Sequence, residues 1–300
     1  MATPLTRKSG STSQGRSRST RRKKTPWDRY PYPELRTTII AEQSYCEKRV
    51  ALWLKDPGDL VSVPRELEDH PRAATQKLLS DLGTLGHAAI SDQAQPVDPA
   101  QFTVRLAMGG RMWLAESKFS ADFQGFPLAG IPDAVCFEDG KAAAVHEYKF
   151  TDSTQLQMSH RVQLLIYGYL LEQSGFDVSN LLLTCVLIPR RFASNQQAVI
   201  SPEAANLIRD AVADVARRQK ASKSWRLADF GLSDGVSVIV RAFRYDRARA
   251  EAELTFFADF WSGTRMAWPT RKPEKCSRCL YNSLRHCNTS LIRFGATPTS

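Results

Sequence analysis

Asp133 is followed fourteen positions later by Glu147-Tyr148-Lys149, and the chain ends in a cysteine group, Cys276-x-x-Cys279 and Cys287. Apolar residues lead into both carboxylates, in Leu128-Ala129-Gly130-Ile131-Pro132-Asp133 and Ala144-Val145-His146-Glu147. This pattern suits two buried strands that carry their acids to one sheet edge. Alternation puts Val145, Glu147 and Lys149 on one face and His146 and Tyr148 on the other. Two hard oxygen donors suit Mg²⁺ or Mn²⁺, which lowers the pKa of bound water and neutralises phosphate charge. A lysine at the same point can orient the attacking water or stabilise charge in the transition state. Glu116, on the preceding strand, is a further candidate carboxylate, and His146 and His160 read as structural.

The elements that must position these groups alternate between helix and strand. Leu35 to Leu54 reads as a helix containing Cys46, and Asp56-Pro57-Gly58 ends it. A second helix is expected over Arg72 to Ile90, carrying His87. Strands are expected at Phe102–Met108, Arg111–Phe119, Leu128–Phe137 and Ala142–Phe150, with Asp139-Gly140 turning the last pair. Gln155 to Gln173, Pro202 to Lys220 and Ala248 to Trp261 read as helices, and Leu181–Ile188 and Val236–Phe243 as strands. Strands surrounded by helices imply an α/β sheet. On the Gln155–Gln173 helix, Gln163 and Tyr167 are four residues apart and share a face.

With these residues in view, the sequence resembles the PD-(D/E)XK nuclease superfamily. There an aspartate and a Glu-x-Lys on adjacent strands hold the catalytic metal. Three further segments resemble its RecB-like branch: Gly83-Thr84-Leu85-Gly86-His87, the Gln163-x-x-x-Tyr167 pair, and Cys46 with the three C-terminal cysteines. The resemblance runs from about Tyr45 to Cys287. It implies a restriction-endonuclease-like core, a mixed sheet flanked by helices. It further implies metal ligation by His87, Asp133 and Glu147, and Gln163 and Tyr167 beside the metal site. Cys46, Cys276, Cys279 and Cys287 would hold a 4Fe–4S cluster that staples the two ends of the chain. Four thiolates also suit tetrahedral zinc. Seven residues separate Cys279 from Cys287, more than is typical of that branch, so His286 is an alternative last ligand.

Cys136 and Cys185 lie in apolar runs and read as buried small hydrophobes. Without an export signal, six cysteines argue against a disulfide framework. The 42% hydrophobic content fits a globular protein, and no apolar run is long enough to span a bilayer. The net charge of +10 is uneven: residues 1–24 hold eight basic residues and no acid, leaving 33 basic against 31 acidic residues beyond them. Rich also in Ser, Thr and Gly, this segment reads as a disordered phosphate-binding arm or a solubilising tail.

The expected organisation is a basic tail and connector over 1–33, a nuclease domain over 34–290 and a short tail over 291–300. The expected activity is a metal-dependent deoxyribonuclease, an exonuclease on single-stranded or frayed ends serving repair, general DNA processing or CRISPR adaptation. Expected partners are single-stranded DNA and proteins of a DNA-processing complex, with no membrane. The expected location is the cytoplasm and nucleoid, with organellar or nuclear targeting by the basic tail as an alternative. Basic residues around the cysteines, with Trp268 and Tyr281 interleaved, could track a phosphate backbone. The competing class is a non-catalytic nucleic-acid-binding or assembly protein retaining the fold and a structural cluster.

Overall fold

A computed structural model describes residues 24–78, 81, 99–189, 226–231 and 237–291. The basic tail, the Gly83–His87 segment and the helix expected over Pro202–Lys220 lie outside the described residues.

The elements are β1 (Leu35–Arg36), α1 (Thr37–Tyr45), α2 (Glu47–Trp53), a helical stretch α3 over residues 71–78, and α4 (Pro99–Met108). Then come β2 (Arg111–Ala115), β3 (Phe119–Phe123), β4 (Phe126–Gly130), β5 (Ala134–Glu138), β6 (Lys141–Phe150) and α5 (Met158–Gln173). The rest are β7 (Leu182–Ile188), β8 (Arg226–Gly231), β9 (Ser237–Arg244), α6 (Arg247–Trp261), α7 (Pro273–Ser277) and α8 (Leu280–Ser283). A mixed sheet runs in the order β2-β5-β6-β7-β9-β8, with β6 and β7 parallel and the other pairs antiparallel. A smaller sheet has the order β1-β4-β3. The architecture is mixed α/β, consistent with a restriction-endonuclease-like core.

The parallel pair requires a crossover, and α5 supplies it. Val162, Leu164, Leu165, Ile166, Leu170 and Leu171 are fully buried, so α5 is apolar nearly all round and forms the centre of the core. It packs on α1, on α6 and against both sheets. Gly168 permits this packing. A Cβ there would lie 2.3 Å from the Tyr245 ring.

Four local expectations are corrected. The Phe102–Met108 segment is helical, within α4. Pro99 suits a first helical turn, and Phe102 and Leu106, four apart, pack on the core. The β-branched Thr103 and Val104 favoured a strand locally, but the burial spacing is helical. The Arg111–Phe119 and Leu128–Phe137 runs each divide into two strands. Left-handed Glu116 (φ 46) breaks the first, and Ile131–Asp133 interrupts the second. The Leu35–Leu54 helix breaks at Cys46, whose backbone is extended, with φ −166 and ψ 104. Its N–H closes α1 on the Glu42 carbonyl, and its own carbonyl accepts from Arg49 as α2 begins.

Candidate active site

The two carboxylates reach one face through a bulge. The hairpin turn at Asp139-Gly140, with φ of 49 and 80, pairs Glu138 with Lys141 and Phe137 with Ala142. The register then shifts, so that Cys136 faces Ala144 and Ala134 faces His146. Ala143 is the extra residue. Extended by one position, the shifted register sets Asp133 opposite Glu147; unshifted, it would set Asp133 opposite His146, whose side chain points to the other face. The packing agrees: Val135, Phe137, Ala142 and Val145 belong to the main core under α5, whereas Cys136 and Ala144 pack on the opposite face.

Asp133 lies just before β5, and its Oδ2 accepts from the Tyr148 amide at 2.6 Å. Glu147 is buried, and its Oε1 accepts from Lys149 Nζ and, at 2.8 Å, from Gln163 Nε2. Gln163 also donates to the Tyr167 hydroxyl at 2.7 Å, and that hydroxyl donates to the Ile131 carbonyl at 3.0 Å. One chain of hydrogen bonds therefore joins Glu147 to the loop that presents Asp133. Gly130 is required at the start of this loop, because a Cβ would lie 2.7–2.8 Å from Thr37, Leu170 and Tyr167. Tyr167 is 2% exposed and sits behind Gln163, so it acts on the site through its neighbours.

Burial draws the Lys149 ammonium toward a lower pKa, but the charges of Glu147 and Asp133 and the Glu147 hydrogen bond outweigh it, and the net shift is upward. Lys149 therefore stays protonated at neutral pH. Burial, then the Glu147 and Asp133 charges, push the Tyr167 phenol well above its ordinary value, so it remains neutral. Cys185, opposite Glu147 in the β6–β7 register, is fully buried and its thiol is pushed up, first by burial. Cys136 is likewise buried.

Lys149 and Gln163 open into a groove of about 540 Å³. Thr38, Glu42 and Tyr45 of α1 line it, with Arg49 of α2, Ser159 and His160 of α5, and Arg278 and Cys279 of the C-terminal segment. His160 is pushed down to about 3, by burial and then by Lys149, and is neutral. Its place in the groove, like that of Arg49, escaped the sequence reading; the only signal was their spacing from Lys149 and Cys46, and neither forms part of a motif. Glu116 is exposed after β2, and its N–H donates to the Asp133 carbonyl. His146 is fully buried against Trp113, with ring centroids 5.1 Å apart.

Cys46, Cys276, Cys279 and Cys287 line one small cavity beside this groove, together with Arg49 and Lys275. Lys275 Nζ donates to the Tyr45 carbonyl at 3.1 Å and lies 4.0 Å from the Tyr45 ring centre. Burial, and then repulsion from neighbouring thiolates, raise the Cys46 thiol; burial also raises Cys279. His286 faces away, its Nε2 3.2 Å from a Glu66 carboxylate oxygen, and lines a different cavity. Among the described residues, no group of three or more His, Cys, Asp or Glu side chains is arranged to hold a metal ion. His87 lies outside the described residues.

The family model of the PD-(D/E)XK nuclease superfamily matches residues 103–284, more than half the chain. The chain belongs to the PD-(D/E)XK nuclease superfamily. The match contains Asp133, Glu147, Lys149, Gln163 and Tyr167. Among solved structures, one described as the crystal structure of SSO0001 is similar at 13% identity with a TM-score of 0.38, covering 88% of this chain and 89% of that one. No curated protein matches. Among the described residues, no helix is long and apolar enough to cross a membrane.

Proposed function

We propose that this chain is a metal-dependent deoxyribonuclease, an exonuclease that hydrolyses phosphodiester bonds at single-stranded or frayed DNA ends. The observation that carries this reading is the buried Glu147 carboxylate, bonded by Lys149 and Gln163, with Asp133 one residue beyond the Ala134–His146 pair of the same register. Such a carboxylate is costly to bury unless its partners and a cation compensate it. The donor set, two carboxylates beside one ammonium, fits a hard divalent ion such as Mg²⁺ or Mn²⁺. Asp133 and Glu147 would hold the ion, with His87 as a third ligand, and the ion supplies an activated water and neutralises phosphate charge.

The chain's own groups do the rest. Lys149, bonded to Glu147, donates to charge developing on the phosphate oxygens. Gln163 fixes the Glu147 carboxylate, and Tyr167 fixes both Gln163 and the Ile131–Asp133 loop. The groove beyond Lys149 would take the strand. The support for single-stranded ends is its volume, about 540 Å³, within the range of small-ligand pockets.

A second element of the reading is a 4Fe–4S cluster on Cys46, Cys276, Cys279 and Cys287. Its support is that all four line one cavity, with Arg49 and Lys275 placed to offset thiolate charge. Cys287 rather than His286 fits as the last ligand.

The test is cleavage of end-labelled single-stranded and duplex DNA by anaerobically purified protein, with metal analysis of the same sample. Metal-dependent shortening from ends that is lost in Glu147→Ala is the expected result. Glu147→Ala cutting at the parental rate overturns the nuclease reading in favour of a binding module. Zinc in place of iron turns the cluster into a zinc staple.

A further inference from the structure

We propose that Arg49 and Arg278 form a phosphate subsite for one nucleic-acid strand in the groove between the Glu147 site and the cysteine cavity. This rests on the nuclease reading and names how its substrate is held.

Arg49 lines both the groove and the cysteine cavity, and Arg278 meets it from the C-terminal segment. Among the described lining residues, the groove presents three basic side chains, Arg49, Lys149 and Arg278, against one carboxylate, Glu42; Arg49 is paired with Glu42 and Lys149 with Glu147, and Arg278 is left to a guest. Arg49 is 9% exposed, paired with Glu42, and its guanidinium lies 4.3 Å from the Tyr45 ring centre. Its Nε still has no hydrogen-bond partner among the described residues. Gln76 Oε1, of another residue lining the groove, likewise has none among the described residues. Buried polar atoms are almost always partnered, so two orphans along one groove mark a surface shaped for a polar guest.

The sign of that guest follows from the charges. The sixteen-residue helix α5 begins at this groove, where Ser159 and His160 line it. Its N-cap residue Gln157 makes no side-chain capping bond, so that side chain does not compete with an anion for the positive end of the helix. Neutral His160 adds no charge of its own. A guanidinium fork matches phosphate oxygens in geometry, and a ring-stacked one keeps its orientation. Arg278 is exposed and can close on the same phosphate without disturbing the core.

The experiment is binding of labelled single-stranded oligonucleotides by the full chain in EDTA, each carrying one neutral methylphosphonate at a different position. The parent protein should lose about tenfold in affinity at one or two positions. Arg278→Gln should bind the unmodified strand about tenfold more weakly and lose clearly less at those positions, the remaining loss belonging to Arg49. Its slope of log affinity against log salt should fall by about 0.7, one phosphate contact on a single strand. Arg49→Lys keeps the charge beside Glu42 and should show the same position-specific loss, since one ammonium cannot replace the fork. Undiminished sensitivity of Arg278→Gln at those positions, or a uniform profile in the parent, overturns the subsite while metal-dependent cleavage keeps the nuclease reading. A chain that neither binds nor cuts the unmodified strand overturns both.

Discussion

Glu47 and Arg265, 218 positions apart, form a two-pronged ion pair inside the protein. Arg265 also donates to the Phe256 carbonyl at 2.6 Å and lies 3.9 Å from the Phe256 ring centre. Glu47 further accepts from the Trp268 amide and from Gln43, whose own oxygen accepts from Trp261. This network ties α1 and α2 to the segment leading into the cysteines. The ends of the domain are thus joined by hydrogen bonds next to Cys46, whatever the thiols hold.

Glu47→Ala or Arg265→Ala should therefore cost about 3–5 kcal/mol, because each leaves a buried charge unpaired. Cys46→Ser should cost clearly less, since the network holds α2 in place. Urea denaturation of the three variants measures the order, and equal losses would make the cysteines the principal staple.

Asp133→Ala and Glu147→Ala should each reduce cleavage at least a thousandfold, and Lys149→Gln by about a hundred- to a thousandfold. Lys149→Gln should lower kcat more than it raises KM, because its charge acts on the transition state. Gln163→Ala should be milder in Mn²⁺ than in Mg²⁺, whose tighter geometry tolerates a loosened Glu147 less well. Single-turnover assays with both metals give these values.

His146 and His160 are both pushed down to about 3, chiefly by burial. In the unfolded chain they titrate near 6.5, so between about pH 6.5 and 3 the unfolded state binds the extra protons. Stability is fully present above that window and falls as pH drops through it, by about 1.4 kcal/mol per pH unit for each histidine. Urea midpoints at pH 7, 6 and 5 should decline, and His146→Leu should decline less steeply. An equal decline in the variant would exclude His146 as a contributor.

Gly168→Ala should destabilise by about 1–3 kcal/mol, because the new methyl meets the Tyr245 ring where α5 crosses the start of α6. Gly130→Ala should be similar in stability but also slow cleavage, since it displaces Tyr167 and with it the loop of Asp133. Thermal melts beside initial rates separate the two variants.

Much of the site was legible because its signals are local. Glu147 and Lys149 share a strand face by alternation, Gln163 and Tyr167 a helix face by the four-residue step, and Asp139-Gly140 calls its turn through φ preferences. The apolar run of α5 announced a buried helix. The Phe102–Met108 segment is helical rather than extended because packing of Phe102 on Phe137 and Phe176 overrides the strand propensity of its β-branched residues.

What tertiary structure alone decided are relations between distant elements. Sequence spacing told that Asp133 and Glu147 could meet, but the Asp139-Gly140 turn by itself sets Asp133 against His146. The one-residue bulge at Ala143 reverses that parity, and no residue type at 143 announces it. Likewise Cys46 carries no local mark of its three companions, and Arg49 none of its place between groove and cavity. Those positions follow from where α2 docks, which the buried pairing of Glu47 with Arg265 secures across the whole length of the fold.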